Sequence, residues 1–174
     1  MLPSSDLEAL RTRIDTLDAQ IHELLRQRFA ITAAVSAAKG AMVDPRLIPR
    51  PQREAAILEA RLAAHDGPMP ERSLIRIWRE IMGAACSQQG DFRVGVAEEA
   101  LSPLAFHARE HFGTAVPLVF DTLAALSDQI ERAEIALILI GGKEAVPKGL
   151  HLIGTLAFSG QAWGQLLSSH RLEG

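Results

Sequence analysis

The sequence predicts an all-α three-helix domain at residues 1–90 followed by a small α/β domain at residues 91–174. Three observations support this division: helical periodicity in the first half, short apolar runs alternating with helical patterns in the second, and a change of charge near Gly90. The first part holds 12 Lys and Arg against 11 Asp and Glu, and the second holds 6 against 10. Hydrophobic residues make up 48% of the 174, an ordinary globular composition that excludes wholesale disorder.

Charge, cysteine content and hydropathy exclude several classes of protein. The formal net charge is -3 and the isoelectric point is about 6.1, whereas a non-specific nucleic-acid binder is usually basic. Cys86 is the sole cysteine, so no internal disulfide or zinc cluster can form, as suits a reducing compartment. The N-terminus lacks a signal-peptide pattern, and the apolar run at 135–140 is too short to span a membrane. We expect a cytoplasmic protein with no nucleic-acid or membrane partner.

A single very long helix is predicted at the start of the chain. Ser5 and Glu8 have the spacing of a capping box, and Gly40 follows Lys39 as a C-terminal stop. Between them, apolar residues recur every three or four positions: Leu7, Leu10, Ile14, Leu17, Ile21, Leu24, Ile31 and Val35. A helix over 5–39 would be about 52 Å long, more than a 90-residue domain can cover. It is either a coiled-coil stalk or, as we expect, one half of a dimer.

Two further helices complete the first half. Pro51 suits the first turn of a second helix that runs to about His65. A third helix, with one apolar face, is predicted from Pro70 to Gly90. The proline-containing segment 40–50 lies between the first two helices and is a candidate lid.

Short apolar runs and helical patterns alternate after Gly90. Strands are predicted at 92–96, 116–120, 135–140 and 150–158, and helices at 103–112, 123–132 and 161–167. This alternation indicates a small parallel or mixed sheet with helices packed on it. About 80 residues form only a small layer of this kind, so it needs a partner surface.

Arg28 is the most informative residue, because it falls on the apolar stripe of the first helix. A buried guanidinium needs an anion, which is either a ligand or an acidic residue of another subunit, unless the side chain reaches solvent. Lys39 lies about 20° from the same helix face, so the two cations could hold a small dianion. Arg11 lies about 25 Å from Arg28 toward the N-terminus of the helix, so it would reach that ligand only from an antiparallel partner helix. Alternatively, Arg11 pairs with Asp15 at the surface.

The other two helices supply three more candidates. Glu54 shares a helix face with Leu58 and Leu62, so it either points inward or sits at the surface near the helix N-terminus. Arg53 adds a neighbouring cation, and Gln89 is either a buried amide donor or the end residue of a fraying helix. The six histidines are scattered without metal-ligand spacing, and no glycine-rich phosphate loop occurs. The pattern therefore indicates neither nucleophilic nor metal-dependent catalysis.

In their order and spacing these features make residues 6–89 resemble the all-helical (AroQ-type) chorismate mutase domain. The matching elements are Leu10-Arg11, Ile14-Asp15, Leu17-Asp18, Leu24-Leu25, Arg28, Val35, Ala38-Lys39-Gly40, Arg53-Glu54, Ile57-Leu58, Ile77-Trp78-Arg79-Glu80-Ile81-Met82 and Gln89. The resemblance implies an intertwined homodimer with two sites, each built from both chains. It also implies an isomerase of the shikimate pathway that converts chorismate to prephenate, for aromatic amino acid biosynthesis, with no cofactor and no metal.

The resemblance assigns a role to each matching polar residue. The reaction is a unimolecular pericyclic rearrangement, so catalysis would come from confinement and electrostatics. By resemblance, Arg11 of the partner and Arg28 would hold the two carboxylates. Lys39 and Gln89 would donate hydrogen bonds to the ether oxygen as its bond breaks. Glu54 would accept from the ring hydroxyl, and Arg53 would support the anion site.

Two departures from the family keep other functions open. Arg50 stands where the family often has an acidic residue, and Ala85 where it often has a small hydroxyl or thiol residue on the substrate-binding wall. Both bear on substrate affinity more than on the type of reaction. One alternative is an isochorismate pyruvate-lyase on the same scaffold. The other is a non-catalytic protein that binds a metabolite of the pathway or another shikimate-pathway enzyme.

The second half resembles the opening lobe of prephenate dehydratase, the domain that follows the mutase in bifunctional enzymes. Residues 92–97, 105–113 and 116–140 follow its order of strands and helices. However, 97–100 reads Ala-Glu-Glu-Ala in place of the glycine-rich turn, and the Thr-Arg-Phe catalytic motif is absent from 91–174. We therefore expect a non-catalytic α/β region. It either supports the dimer, regulates the enzyme or docks a partner, or it is a tolerated structural appendage.

Overall fold

The first half of the chain is helical. The computed structural model describes residues 4–40, 44–158 and 161–171. Helix α1 spans Ser4–Lys39, α2 spans Pro51–Ala63 and α3 spans Glu71–Gln89, with a 3-10 turn at Pro45–Leu47. These bounds confirm the three predicted helices, except that α2 ends at Ala63 instead of running to His65. None of the helices in the described ranges is both long and apolar enough to cross a membrane.

Helix α1 extends well beyond the rest of the helical half. Its residues 6–22 are all exposed, and burial begins only from Glu23 onward. Near its C-terminal end α1 packs on α3, where the Ser36 hydroxyl donates a hydrogen bond to the carbonyl oxygen of Gln89 at 3.3 Å. The predicted apolar stripe is present but largely uncovered within this chain, with Ile14 56% and Ile31 66% exposed.

The second half is a five-stranded mixed sheet with two helices, which confirms the predicted small α/β region. The strands are β1 (Val94–Val96), β2 (Leu118–Phe120), β3 (Leu137–Gly141), β4 (His151–Phe158) and β5 (Gln161–Ser168), and the helices are α4 (Pro103–Phe112) and α5 (Leu123–Glu131). The strand order is β2-β1-β3-β5-β4. β1 is parallel to β2 and β3, whereas β5 is antiparallel to β3 and β4. The boundary at Gly90 stays a prediction, because the two halves share buried residues.

The predicted short helix at 161–167 is wrong, because this segment is strand β5. It pairs with β3 on one side and β4 on the other, which places Leu166 and Leu167 in the core. Local helix propensity is weak against such pairing, since a strand between two others satisfies its backbone groups on both edges. The dipeptide Ser159-Gly160 was an available turn signal between two apolar runs; it lies outside the described residues.

The segment between α1 and α2 is anchored in the second half. Ile48 is 2% exposed and belongs to the same core cluster as Phe92 and Val94. Arg46 forms an ion pair with Asp44 at 2.6 Å and donates to the carbonyl oxygen of Ile130 at the end of α5. Residues 41–43 of the candidate lid lie outside the described residues. The remainder, 44–50, is tied down by these contacts, so it does not fit a freely moving lid.

Candidate functional site

A cavity of about 360 Å³ lies between α1, the start of α2 and the C-terminal part of α3. Its volume is within the range of small-molecule sites. The walls combine apolar side chains with a group of cations and one carboxylate: Arg28, Ile31, Thr32, Val35, Ile48, Arg50, Arg53, Glu54, Ile57, Met82, Ala85, Cys86 and Gln89. The structure thus brings together five of the predicted site residues, Arg28, Arg53, Glu54, Ala85 and Gln89.

Arg28 has a buried polar atom that no described residue satisfies. Its Nη1 is inaccessible to solvent and has no hydrogen-bond partner among the described residues. Burial lowers the pKa of Arg28, and the charge of Arg53 lowers it further, against an opposing effect of Cys86. An orphaned guanidinium N–H costs free energy unless an acceptor reaches it. An acceptor at this position could come from a ligand in the cavity or from a side chain of another subunit.

Glu54 is the acidic residue that lines this cavity, and its carboxylate pairs with an arginine that does not line it. Its Oε2 accepts from Nη1 of Arg79 on α3 at 3.2 Å, and both side chains are largely buried. Burial raises the pKa of Glu54, while the nearby positive charge of Arg79 opposes the rise. Burial likewise lowers the pKa of Arg79, and Glu54 opposes that change. The pair satisfies two charges that would otherwise be costly to bury.

The remaining wall residues differ in how free they are to meet a ligand. Arg53 is exposed and lines the cavity mouth beside Glu54. The side-chain amide of Gln89 donates to the carbonyl oxygen of Ala85 at 3.1 Å and faces the cavity from the last turn of α3. Arg50 uses Nη1 to donate to the carbonyl oxygens of Leu47 and Pro49, at 2.6 and 3.0 Å. Ala85 is buried and presents no polar group.

Two predicted site residues are not placed in the cavity. Arg11 lies on the exposed N-terminal part of α1, 17 residues before Arg28 and about 25 Å from it along the helix axis. It therefore cannot contact a ligand at Arg28 of the same chain. The backbone of α1 reaches Lys39, but the Lys39 side chain lies outside what the structure describes.

A second cavity, of about 460 Å³, separates the helical half from the sheet and shares the walls Glu54, Met82 and Cys86 with the first. It contains Arg79 and His111, neither of which is among the site residues predicted from the sequence. The signals were present. Arg79 is spaced three and seven residues before Met82 and Cys86, on the buried face of α3. His111 follows Leu104 and Ala108 at steps of four and three on the buried face of α4.

Residues 10–90 match the family model described as chorismate mutase type II. The chain also matches curated proteins named bifunctional chorismate mutase/prephenate dehydratase. One from Stutzerimonas stutzeri is 31% identical over 141 residues, which is 78% of this chain and 37% of that protein. Another, from Pseudomonas aeruginosa, is 30% identical over 135 residues, 76% of this chain and 36% of the relative. A third, from Aquifex aeolicus, is 30% identical over 91 residues, 51% of this chain and 25% of the relative.

These matches have two consequences for the chain. The two longest alignments exceed the length of the helical half, so they continue into the α/β half, which is similar to part of the dehydratase region of those relatives. The chain spans about a third of the length of the curated relatives it matches.

Proposed function

Residues 10–90 match the chorismate mutase type II family model, and on that premise we propose that the protein isomerises chorismate to prephenate. The observation that carries the proposal is the unsatisfied Nη1 of Arg28, buried in a cavity of small-molecule size. Chorismate is a dicarboxylate, so it would supply the missing acceptor. The product would enter the synthesis of phenylalanine and tyrosine.

The geometry supports catalysis by confinement and charge. Arg28 would hold one carboxylate, with Arg53 beside it at the mouth of the cavity. Gln89, together with Lys39, would donate hydrogen bonds to the ether oxygen, where negative charge develops as the bond breaks. Glu54 would accept from the ring hydroxyl. The chemistry needs no nucleophile, because all bonds form and break within one bound substrate.

We propose that a second copy of the chain completes the site. The exposed apolar stripe runs about 42 Å along α1 from Leu7 to Val35, and a contiguous apolar surface of this kind favours association. If two α1 helices pack antiparallel, Arg11 of one copy comes near the cavity of the other and can hold the second carboxylate. The homodimer would then have two sites, each using both chains.

The α/β half is proposed to be non-catalytic. The turn after β1, at 97–100, has no glycine, so it lacks the close backbone approach that a glycine-rich turn offers to a ligand.

A cytoplasmic location is also part of the proposal. It is supported by the single cysteine, Cys86, which suits a reducing compartment.

The test is the loss of chorismate absorbance in the ultraviolet, with wild type compared to two arginine variants of α1. Arg28→Ala should reduce the rate about 10²–10³-fold, the usual effect of removing one preorganised charge contact. Arg26→Ala is the matched control, because Arg26 is exposed and pairs with Glu23 on the same helix. Circular dichroism and sedimentation should show the same fold and assembly in all three. A wild type that does not accelerate the reaction would refute the proposal.

Product analysis separates the mutase from the lyase on the same scaffold. Prephenate from chorismate supports the mutase. Pyruvate released from isochorismate, with chorismate left unchanged, would assign the lyase, and binding without turnover of either would assign a metabolite-binding protein.

A further inference from the structure

We propose that the α/β half acts on the cavity lined by Arg28 and Gln89, here called the mutase cavity, by positioning Glu54. It does so through a contact series that runs from Glu54 to Arg79 and on to His111. The inference rests on the proposed function for the role of Glu54. It gives residues 91–174 a defined task, in which His111 is a positioning residue located in the other half of the chain.

A single nitrogen of Arg79 makes both contacts of the series. Nη1 of Arg79 lies 3.2 Å from Oε2 of Glu54 on α2 and 3.3 Å from Nε2 of His111 on α4. Nη1 carries two N–H groups, so it can donate to both partners at once. Since Glu54 lines both cavities, the series connects the mutase cavity to the interface between the two halves.

The chemistry of the series requires a neutral His111. Arginine has donors and no acceptor, so Nε2 of His111 must accept and its proton must be on Nδ1. Burial, reinforced by the charge of Arg79, lowers the pKa of His111 to about 3, which keeps the ring neutral near pH 7. The position of His111 in the last turn of α4 would favour protonation, but burial outweighs it.

The backbone around His111 is fixed against α3 on both sides. Arg76 forms an ion pair with Glu110, and Glu80 accepts from both the backbone N–H and the hydroxyl of Thr114, at 2.9 and 3.0 Å. The series therefore sits inside a docked interface, and the orientation of Arg79 depends on α4 as well as on α3.

Arg79 differs from the other cations near Glu54 by lying outside the mutase cavity. Arg28 from α1, together with Arg50 and Arg53 at the start of α2, faces that cavity, as does the thiol of Cys86 from α3. A bound dianion would draw those arginines toward itself. Arg79 and His111 line the other cavity. Arg79 can therefore keep its contact with the Glu54 carboxylate, supported by His111, whether or not a ligand occupies the mutase cavity.

The experiment compares His111→Leu, which removes the acceptor, with His111→Gln, which keeps one. Two readouts are used: chorismate kinetics across pH, and the pKa of the Glu54 carboxyl by carbon NMR on the ligand-free protein, assigned with Glu54→Gln. His111→Leu should lower kcat/KM about tenfold, the value of one hydrogen bond to a charged group. It should also raise the pKa of Glu54, since Arg79 opposes the effect of burial less well. His111→Gln should stay close to wild type in both readouts.

Arg79→Gln alone and combined with His111→Leu closes a double-mutant cycle. If His111 acts through Arg79, the loss of His111 adds nothing once Arg79 is replaced. Additive effects would overturn the proposal, as would an unchanged pKa of Glu54 in His111→Leu, or a His111→Gln as impaired as His111→Leu. The NMR readout needs no turnover, so an inactive wild type would refute the mutase function and leave the contact series to be judged separately.

Discussion

Gly83 of α3 lies directly against the carbonyl oxygen of Phe112, the last residue of α4. A Cβ atom built at Gly83 would stand 1.8 Å from that oxygen, well inside the contact limit. Both residues are buried, so neither the backbone of α4 nor that of α3 has room to retreat. The closeness of the two halves is thus set by the absence of one side chain.

Gly83→Ala should weaken the packing of α3 against α4, where the two halves of the chain meet. Alanine stabilises a helix by about 1 kcal/mol relative to glycine, but overpacking against backbone costs about 1–3 kcal/mol, so we expect a net loss of stability. Urea unfolding measures it, with Gln88→Ala at an exposed position of α3 as the control. A more stable Gly83→Ala protein would show that the two helices separate without cost.

Ile48→Ala should destabilise the protein through the core of the α/β half, although Ile48 belongs to the helical half. Removing a fully buried isoleucine costs about 2–5 kcal/mol. Leu47→Ala is the matched control, because Leu47 is the exposed neighbour and surface truncations change stability by about 0.5 kcal/mol or less. Ile48 also lines the cavity that is proposed to bind chorismate, so the KM for chorismate should rise. Equal effects of the two variants would contradict the anchoring of this segment.

The sequence was informative where a pattern is local. The position of Arg28 on an apolar stripe predicts either a buried cation that needs an anion or a side chain that reaches solvent. The structure buries its Nη1 in a cavity, where no described residue accepts from it. Helices α1, α2 and α3 were predictable because each has its own periodicity and end signals. The pattern of α2 allows Glu54 either to point inward or to sit at the surface, and the structure selects the inward placement.

Contacts between distant segments were not predictable in the same way. Arg79 and His111 are 32 positions apart, and nothing local indicates that one donates to the other. Strand β5 was interpreted as a helix because its pairing with β3 depends on tertiary context. The prolines beside Ile48 are loop signals and predict a lid. Its burial instead depends on packing against the core of the α/β half, which no local pattern indicates.

Acid should destabilise the protein through His111. Its pKa in the folded state, about 3, lies below the ordinary value of 6.5, so the unfolded chain binds the proton more readily. This contribution is fully present above about pH 6.5 and is lost as pH falls toward 3, at roughly 1.4 kcal/mol per pH unit. Glu54 has the opposite slope, because burial raises its pKa. The measurement is therefore the difference between wild type and His111→Gln in urea unfolding at several pH values.

That difference isolates the histidine, because Glu54 and the other carboxylates are present in both proteins. Wild type should lose stability relative to His111→Gln as the pH is lowered from 7 to 4. A pH-independent difference would mean that His111 is not buried as a neutral ring, and would remove the chemical basis of its contact with Arg79.

A mixture of Arg11→Ala and Arg28→Ala chains should recover activity that neither variant has alone. If each site takes Arg28 from one chain and Arg11 from the other, both pure variants lack one arginine at every site. In a mixed dimer, one of the two sites keeps both arginines and the other loses both. When equal amounts mix at random, about half of the dimers are mixed, and each of these has one intact site of two. The mixture should therefore show about a quarter of the wild-type activity per chain.

The mixed sample must be unfolded and refolded together, or coexpressed, since the chains of an intertwined dimer would exchange slowly. Mixing the two folded variants without unfolding is the control and should stay inactive. An active Arg11→Ala protein on its own would show that Arg11 takes no part in the site. Full inactivity of the refolded mixture, with dimers shown by sedimentation, would contradict a site that takes Arg11 from one chain and Arg28 from the other.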